Sequence, residues 1–304
     1  TMLSEDSEFT NNQALVSNAG AIYCQNDLAE ECDGLEIYDS LFTGNSSYRD
    51  GGAVWTGGDS VIRRSDFLEN VASYGDGGAL YVQIYDAGME LEVRRTQFSR
   101  NQGHNGGAIS IRDGDVTVKR SSLVDNVAEG VGGGIYGYWV GPQADSLTIV
   151  NSTIARNSAS TAGGVHAYAD ASMWFTAMVD NSANEGQVHD VSGTFDLYRS
   201  IVTHDAVPAT GPECLGVFSG ESNLLDGATC GTGLTYNLGA HNNTELLGLR
   251  LWGGRTLSYG LTSASLAVDA ANNCIGANGV LSLDQRGESR PAGADCDLGP
   301  WERQ

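Results

Sequence analysis

The stretch Phe67-Leu68-Glu69-Asn70-Val71-Ala72-Ser73-Tyr74-Gly75-Asp76-Gly77-Gly78-Ala79-Leu80 decides the fold, because both of its halves recur along the chain. The first half places an apolar residue three positions before an asparagine. It occurs at Phe9–Asn12, Phe42–Asn45, Phe67–Asn70, Phe98–Asn101, Leu123–Asn126, Ile154–Asn157 and Met178–Asn181. The spacings between successive asparagines are 33, 25, 31, 25, 31 and 24 residues. Fixed self-similarity at this period is typical of a solenoid, in which each repeat stacks on its neighbours.

The second half is a glycine-rich turn that leads into a short apolar strand. Its copies are Gly51-Gly52-Ala53-Val54, Gly77-Gly78-Ala79-Leu80, Gly106-Gly107-Ala108-Ile109 and Gly163-Gly164-Val165. Another strand precedes each apolar anchor and is marked by alternating apolar residues, as at Leu91 and Val93 or at Val116 and Val118. Period-two alternation in such short runs predicts strands, because helices repeat every 3.6 residues.

These patterns predict an all-β chain folded as a right-handed parallel β-helix with a disulfide-stabilised C-terminal capping region. Each coil would lie about 4.8 Å from the next, so equivalent residues form columns. Glycine suits the tight corners, and the asparagines can stack as a hydrogen-bonded ladder. We expect coils over residues 1–212 and a capping region over residues 213–304. A WD-type propeller is the rival fold, but its blades need about 40–45 residues each.

Composition narrows the function classes. The chain has 304 residues, 41 of them glycine, and a formal charge of −22. So acidic a surface disfavours nucleic acid as a partner, and no apolar run approaches the roughly 18 residues of a membrane-spanning helix. The six cysteines fall into three local pairs, Cys24–Cys32, Cys214–Cys230 and Cys274–Cys296. An even count of closely spaced cysteines favours disulfides and an oxidising compartment over buried thiols in a cytosolic protein.

An outward column is expected beside the glycine turns, because the residue after each inward strand residue points outward. It comprises Tyr23, Trp55, Tyr81, Ser110, Tyr136, His166 and His189, with Tyr138 and Tyr168 two positions further on the same side. Exposed aromatic rings in a column suit stacking on sugar rings. The alternative is that the rings pack on one another or lie beneath corner loops. The two imidazoles could join a metal site or act as a general base, although the sequence offers no third ligand.

Basic residues gather on the strand that precedes the apolar anchor. They are Arg63, Arg64, Arg94, Arg95, Lys119, Arg120 and Arg199, which is seven of the 16 basic residues in the chain. One interpretation is a site for a carboxylated or sulfated polysaccharide, or for the enolate of a lyase reaction, with Arg94, Lys119 and Arg120 as candidate residues. The other is simple charge relief through ion pairs with nearby carboxylates.

Two further groups carry charge. The C-terminal cluster comprises Asp269, Asp284, Arg286, Arg290, Asp297 and Glu302. It could serve acid–base chemistry, but we favour a cap over the last coil, because solenoids need their ends covered. The Asp-rich turns at Asp76 and at Asp113-Gly114-Asp115 offer oxygen ligands for calcium, although aspartate and glycine are also common turn formers. No motif requires a cofactor.

The glycine turns and apolar anchors resemble the repeats of bacterial surface β-helices, including the polymorphic outer-membrane proteins and pectate-lyase-like folds. The C-terminal third resembles the conserved tail of the choice-of-anchor Q domain proteins. The matching stretches are Ser222–Asp226, Gly253-Gly254-Arg255-Thr256, Ala267–Ala270, Asp284-Gln285-Arg286-Gly287 and Asp297–Glu302. Arg255 departs from the proline of that family. The resemblance implies a secreted or cell-surface bacterial protein, and it carries no catalytic residue.

Two functions follow from the sequence. The first is a non-catalytic surface module, an adhesin or an envelope or matrix component, that binds a polysaccharide or another surface protein. The second is a polysaccharide lyase or glycoside hydrolase that acts on an acidic polysaccharide, so whether the chain is an enzyme stays open. Residues 1–8 do not resemble a cap, so we also expect a partner chain, a second copy or upstream sequence to cover the first coil.

Overall fold

The computed structural model confirms the parallel β-helix. It describes residues 1–27, 30–32, 34–84, 88–139, 146–168, 170–183, 188–190, 195–203, 214–215, 218–225, 233–234 and 246–304. Four parallel sheets run along the solenoid, and coils 1–5 pass through all four in the same order. We number the coils from the N-terminus, so that coil 1 contains Asn12 and coil 4 contains Asn101. Among the described residues every regular element is a strand.

Sheets 1 and 2 precede the asparagine of each coil. The ten strands of sheet 1 are Met2–Glu5, Gly34–Tyr38, Asp59–Arg63, Glu90–Arg94, Asp115–Lys119, Leu147–Val150, Ala171–Trp174, Phe195–Tyr198, Phe218–Glu221 and Gly233–Leu234. The nine strands of sheet 2 are Glu8–Thr10, Leu41–Thr43, Asp66–Leu68, Gln97–Ser99, Ser122–Val124, Thr153–Ala155, Ala177–Val179, Ile201–Thr203 and Leu224–Leu225. The short strands and their tight connections make each coil a narrow winding.

Sheets 3 and 4 follow the asparagine. The five strands of sheet 3 are Gln13–Ala14, Ser46–Ser47, Val71–Ala72, Gln102–Gly103 and Val127–Ala128. The eight strands of sheet 4 are Ile22–Cys24, Val54–Thr56, Leu80–Val82, Ile109–Ile111, Ile135–Gly137, Val165–Ala167, Val188–Asp190 and Cys214–Leu215. Three two-stranded antiparallel hairpins lie outside these sheets. They pair Asn26–Asp27 with Glu30–Glu31, Leu246–Arg250 with Ser258–Leu261, and Ile275–Gly276 with Gly279–Val280.

The asparagines form the ladder that the sequence predicts. In coil 4, the Asn101 Oδ1 accepts hydrogen bonds from the backbone N–H and Nδ2 of Asn70, at 2.9 and 3.0 Å. The Asn101 Nδ2 donates to Oδ1 of Asn126 at 2.9 Å and to the carbonyl oxygen of Phe67 at 3.0 Å. The same pattern links each neighbouring pair from Asn12 to Asn181. The ladder therefore satisfies buried backbone groups at a corner where no sheet could pair them.

Apolar columns fill the interior of the solenoid. The rings of Phe9, Phe42, Phe67 and Phe98 stack face to face, with centroids 4.6 to 4.8 Å apart. Leu123, Ile154 and Met178 continue this column. Facing it, Val54, Leu80 and Ile109 of sheet 4 are fully buried. The core is thus a stack of equivalent layers, and each coil buries its apolar face only against its neighbours.

The glycine turn solves two steric problems at once. Its first residue adopts the left-handed conformation, with φ of 67° at Gly51, 70° at Gly77 and 63° at Gly106. Its second residue lies against the next coil, because a Cβ on Gly52 would overlap the carbonyl oxygen of Gly78. Glycine is therefore required first for conformation and then for space.

Residues 246–304 pack along the flank of the solenoid, and the expectation that this region covers the last coil stays a prediction. Their core residues, among them Tyr259, Leu298 and Trp301, bury the outward side chains of sheet 2. The hydroxyl of Thr153 in coil 6 donates to Gln285 Oε1 at 2.8 Å, and the Gly299 N–H donates to the carbonyl oxygen of Arg199 in coil 8 at 2.8 Å. Sheet 2 carries small and apolar outward residues here, so it offers a face that needs covering.

Two of the expected disulfides are present. Cys24 and Cys32 bond beside coil 1, and Cys274 and Cys296 bond within the C-terminal segment. Cys214 is also disulfide-bonded, whereas Cys230 lies outside the described residues. The boundary expected near residue 212 likewise falls outside them. Strand Met2–Glu5 forms an edge of sheet 1, and the expectation of a partner that covers coil 1 stays a prediction.

Candidate functional site

The first half of the outward column forms an aromatic stack. Strand register places Tyr23, Trp55 and Tyr81 side by side, with ring centroids 4.9 Å apart for the first pair and 6.0 Å for the second. The alternative of rings that pack on one another is confirmed here, and exposure is not, because Trp55 is only 3% exposed and Tyr81 only 5%. Backbone at Gly57 lies against the indole of Trp55, and Tyr23 alone of the three is exposed.

The second half gathers four rings into a compact cluster. Tyr136 lies 6.2 Å from Tyr138 and 5.7 Å from His166, and Tyr168 lies 4.8 Å from His166 and 5.6 Å from Tyr138. His166 is buried in this cluster, while Tyr138 is exposed. Burial raises the pKa of Tyr136, and Tyr168 adds to the rise. Ser110 separates this cluster from the stack at Trp55. The column is therefore two aromatic patches, whose binding of sugars stays a prediction.

The two histidines lie on neighbouring coils. His166 and His189 occupy equivalent positions on paired strands of sheet 4. The side chain of His189 lies outside the described residues. Among the side chains that the structure describes, no group of three His, Cys, Asp or Glu residues is placed to hold a metal ion. Metal or general-base roles for these histidines, and calcium at the Asp-rich turns, stay predictions.

The basic residues divide into two columns. Arg63, Arg94 and Lys119 end successive strands of sheet 1 and lie in register on its outer face. The residues that follow them, Arg64, Arg95 and Arg120, form the adjacent corner, with φ of 52°, 53° and 52°. The next corner residues, Asn151 and Phe175, are also left-handed. Long side chains at these corners point away from the core, because a left-handed residue turns the chain sharply.

Some of these cations are paired. Arg63 contacts Glu92 at 3.1 Å, and Arg64 pairs with Asp39. Arg199 is buried, where its Nε donates to the carbonyl oxygen of Ala271 at 3.1 Å and its Nη2 contacts Glu221 at 2.7 Å. In contrast, Arg94, Arg95 and Lys119 form no ion pair within the described part of the chain.

Arg120 is buried beneath the C-terminal segment rather than exposed. The Arg120 Nε donates to the carbonyl oxygen of Gln285 at 3.3 Å. The carbonyl oxygen of Arg120 accepts from the Thr256 hydroxyl at 3.1 Å. Burial, together with the positive charges of Arg95 and Arg94, lowers the pKa of Arg120 to about 10. Direct contact with a long polysaccharide would therefore fall to Arg94 and Lys119.

A cleft of about 260 Å³ lies where this basic surface meets the C-terminal segment. Its floor comes from sheet 1 and the adjacent corner, and its far wall from the hairpin at Ile275–Val280 and the residues after it. Its lining comprises Glu92, Arg94, Lys119, Arg120, Val150, Asn151, Ala277, Asn278, Val280, Leu281, Ser282 and Leu283. Three of the predicted catalytic candidates, Arg94, Lys119 and Arg120, thus line the same cleft on neighbouring coils.

The carboxylates of the C-terminal charged cluster are held by partners within the segment. Asp284 pairs with Arg286 at 2.6 Å and accepts from the backbone N–H groups of Gly287, Glu288 and Glu302. Arg290 and Glu302 are both fully buried as side chains, 3.6 Å apart. Burial raises the pKa of Glu302 and lowers that of Arg290 to about 10. These carboxylates accept hydrogen bonds from backbone N–H groups, so they are suited to holding the segment in place. They are less suited to acid–base chemistry.

Sequence inspection missed a second ladder of side-chain carbonyls on the corner before the glycine turn. The backbone N–H of Asp50 donates to Asn18 Oδ1 at 3.2 Å, that of Asp76 to Asp50 Oδ1 at 2.9 Å, and that of Asn105 to Asp76 Oδ1 at 3.0 Å. Burial raises the pKa of Asp76, and the charge of Asp50 raises it further. The recurrence of Asn or Asp one or two residues before the first glycine is the signal that would have revealed it.

An exposed aromatic pair also escaped the sequence analysis. The rings of Tyr48 and Tyr74 lie 5.0 Å apart on coils 2 and 3, and Tyr74 is 75% exposed. Leu15 and Val16 of coil 1 are exposed on the same corner loops. Tyr48 and Tyr74 follow the ladder asparagine by three and four residues. That near-equivalent spacing was the available signal.

Comparisons with known proteins match the coil repeat of this chain to repeats of bacterial surface proteins. A family model described as the Chlamydia polymorphic membrane protein repeat matches residues 6–25 and 39–57, within coils 1 and 2. The protein described as "Probable autotransporter YfaL" of Escherichia coli (strain K12) is 28% identical over 225 residues. That alignment covers 59% of this chain and 17% of the relative, so this chain aligns with under a fifth of its length. No solved structure matches the chain.

Only one of the two family resemblances in the sequence is supported by these matches. The likeness to polymorphic membrane proteins is supported by the matched repeat, whereas the likeness to choice-of-anchor Q proteins stays a prediction. Within the described residues, there is no helix of the length and hydropathy that a membrane crossing needs.

Proposed function

We propose that this chain is a non-catalytic β-helix module displayed outside a bacterial cell, where it acts as an adhesin or as a component of the envelope or matrix. The observation that carries the proposal is the coil repeat, which matches a polymorphic membrane protein repeat and belongs to a chain similar to an autotransporter. The disulfides Cys24–Cys32 and Cys274–Cys296 fit an oxidising location. The C-terminal resemblance to choice-of-anchor Q proteins also favours a location at the cell surface.

The module would bind its partner through side chains that the coils carry outward. Two surfaces are suited to carbohydrate: the exposed pair Tyr48 and Tyr74, and the patch at Tyr136, Tyr138 and Tyr168. Tyrosine rings offer apolar faces to sugar rings and hydroxyls to their polar edges. Trp55 and Tyr81 are too deeply buried to share in this role.

A glycan array probed with the purified chain tests this function, alongside an assay for released reducing ends on each glycan that binds. We expect binding without turnover. Tyr74→Ala and Tyr138→Ala should each weaken glycan binding at its own patch by about 1 kcal/mol, whereas Tyr259→Phe, within the buried flank, should leave binding unchanged. Turnover of any bound glycan would reject the non-catalytic proposal.

The second candidate is a lyase or hydrolase for acidic polysaccharides, and the basic cleft favours it. Arg94 and Lys119 could hold a uronate carboxylate and stabilise developing negative charge there. An assay for unsaturated or reducing-end products on uronate and sulfated glycans tests it. Activity that falls at least a hundredfold in Lys119→Ala, but not in Arg100→Ala, would establish this candidate instead of the first.

A further inference from the structure

The cleft beside the C-terminal segment combines unbalanced positive charge with an apolar wall. Four cations meet at its floor and edge: Arg94, Arg95, Lys119 and Arg120. The nearest carboxylates are already engaged, because Glu92 pairs with Arg63 and Asp284 with Arg286. In a chain of net charge −22, a cluster of like charges without carboxylate partners is costly unless an anion comes to it.

Two buried polar atoms at this place lack partners. Arg120 is only 6% exposed, and its Nη2 has no hydrogen-bond partner. Asn151, also buried, donates through Nδ2 to the carbonyl oxygen of Leu283 at 2.9 Å, while its Oδ1 is unpartnered. Both residues line the cleft. Buried polar groups are usually satisfied by protein or ordered solvent. The unsatisfied Nη2 of Arg120 is a donor and favours an anion beside it, whereas the Oδ1 of Asn151 is an acceptor and suits a hydroxyl group of a ligand.

The opposite wall defines the rest of the ligand. Val280 is 76% exposed, and Leu283 is exposed beside it. The hairpin that presents Val280 is held by the Cys274–Cys296 disulfide. The cleft is slightly smaller than the ~300–1,000 Å³ of typical ligand pockets, so it suits one small group. A cleft of about 260 Å³ with cations on one side and an apolar wall on the other fits a pyranose ring that carries an acidic substituent.

We propose that this cleft binds the anionic group, a carboxylate or a sulfate, of a single acidic sugar residue. Arg94 and Lys119 contact that group, Arg120 supplies charge from beneath, and Val280 and Leu283 pack on the ring. The inference deepens the proposed function and rests on its glycan binding. The C-terminal segment is then part of the binding site, because without it the cleft has no second wall.

Isothermal titration of the whole chain tests the site with four probes: glucuronate, glucose 6-sulfate, glucose and sodium sulfate. We expect at least one acidic sugar to bind at low ionic strength, and glucose not to bind. Arg94→Gln and Lys119→Gln should each weaken that binding about tenfold, because each removes a charge-assisted hydrogen bond. Arg100→Gln is the matched control, since Arg100 is exposed on coil 4 and pairs with Glu69 at 2.9 Å.

Each outcome decides the proposal. Binding of glucuronate alone identifies a carboxylate site, and binding of glucose 6-sulfate alone identifies a sulfate site. Val280→Ser should weaken binding of the acidic sugar and leave the affinity for sodium sulfate unchanged. Sodium sulfate that binds as tightly as either sugar, or affinities that the Arg94 and Lys119 variants leave unchanged, would overturn the proposal. A chain that binds acidic sugar here yet is absent from the cell surface would instead reject the proposed function alone.

Discussion

The coils and the C-terminal segment solve the same problem, burial of polar groups, in opposite ways. In the coils most of the buried polar groups are neutral and repeat from coil to coil, as in the amide bonds from Asn70 to Asn101 and from Asn101 to Asn126. In residues 246–304 they are charges that occur once, such as Arg290 and Glu302. Burial of a neutral amide costs far less than burial of a charge. The coils therefore tolerate many copies, whereas the segment depends on a few irreplaceable pairs.

The sharpest way to break this contrast is Arg290→Met. The substitution leaves Glu302 buried without its cation and also removes the Nη1 and Nη2 hydrogen bonds to the carbonyl oxygens of Asp297 and Gly299, at 3.1 and 2.6 Å. We expect the C-terminal segment to lose about 3–5 kcal/mol of stability. Hydrogen exchange measures this as faster exchange of amides in residues 284–302, while the amides of coils 2–5 keep their protection.

Arg303→Met is the control, because Arg303 is exposed at the end of the same segment. A double variant, Arg290→Met with Glu302→Leu, should recover part of the loss, since it removes both charges. If coils and segment lost protection together, the two regions would form one cooperative unit and the contrast would not hold.

A break in the ladder should have a smaller effect. Asn101→Ala removes four hydrogen bonds and leaves the buried backbone N–H of Asn70 without its acceptor. We expect a loss of about 2–4 kcal/mol in the free energy of unfolding, measured by denaturant titration. Asn12→Ala is the matched control at the exposed end of the ladder and should cost under about 1 kcal/mol. Equal losses at the two positions would mean that the ladder does not stabilise the coils through burial.

The repeat made most of the coil architecture predictable. Seven copies of the anchor and its asparagine fixed the inward column, the ladder and the register of sheet 4, because stacked coils put equivalent residues in contact. Exposure was not predictable from the same pattern. Alternation predicts which side of a strand Trp55 occupies, but it does not predict that neighbouring residues such as Ala19 and Tyr81 bury the ring.

The cleft lies beyond what periodicity can show. Arg94 and Lys119 belong to the repeat and were identified as candidates, whereas Val280 and Leu283 come from a segment with no repeat. Their meeting depends on contacts between residues more than 130 positions apart, such as the bond from Asn151 Nδ2 to the carbonyl oxygen of Leu283. Sequence patterns are local, so they predicted the basic residues on one side of the cleft but not the apolar residues on the other.

The smallest expected effect sharpens the contrast within the coils themselves. Asp76 interrupts the neutral character of its ladder, in which Asn105 donates both N–H and Nδ2 to Asp76 Oδ1 at 3.0 Å. Asp76→Asn adds an Nδ2 donor that can bond to Asp50 Oδ1. It also removes the repulsion between the half-buried carboxylates of Asp50 and Asp76. We expect the variant to be about 1 kcal/mol more stable than the natural chain at pH 7.

The dependence on pH separates this explanation from a simple packing gain. Burial, and then the charge of Asp50, raises the pKa of Asp76 above its ordinary 3.8, so the folded chain binds the proton more tightly than the unfolded chain. The stability linked to that proton is fully present below pH 3.8 and is lost as pH rises through the raised value. The advantage of Asp76→Asn should therefore shrink as pH falls from 7 towards 4, whereas Glu5→Gln, at an exposed position, should change stability little at either pH. An advantage that stayed constant across this range would assign the gain to the added hydrogen bond alone, and the neutral character of the ladder would then carry no electrostatic benefit.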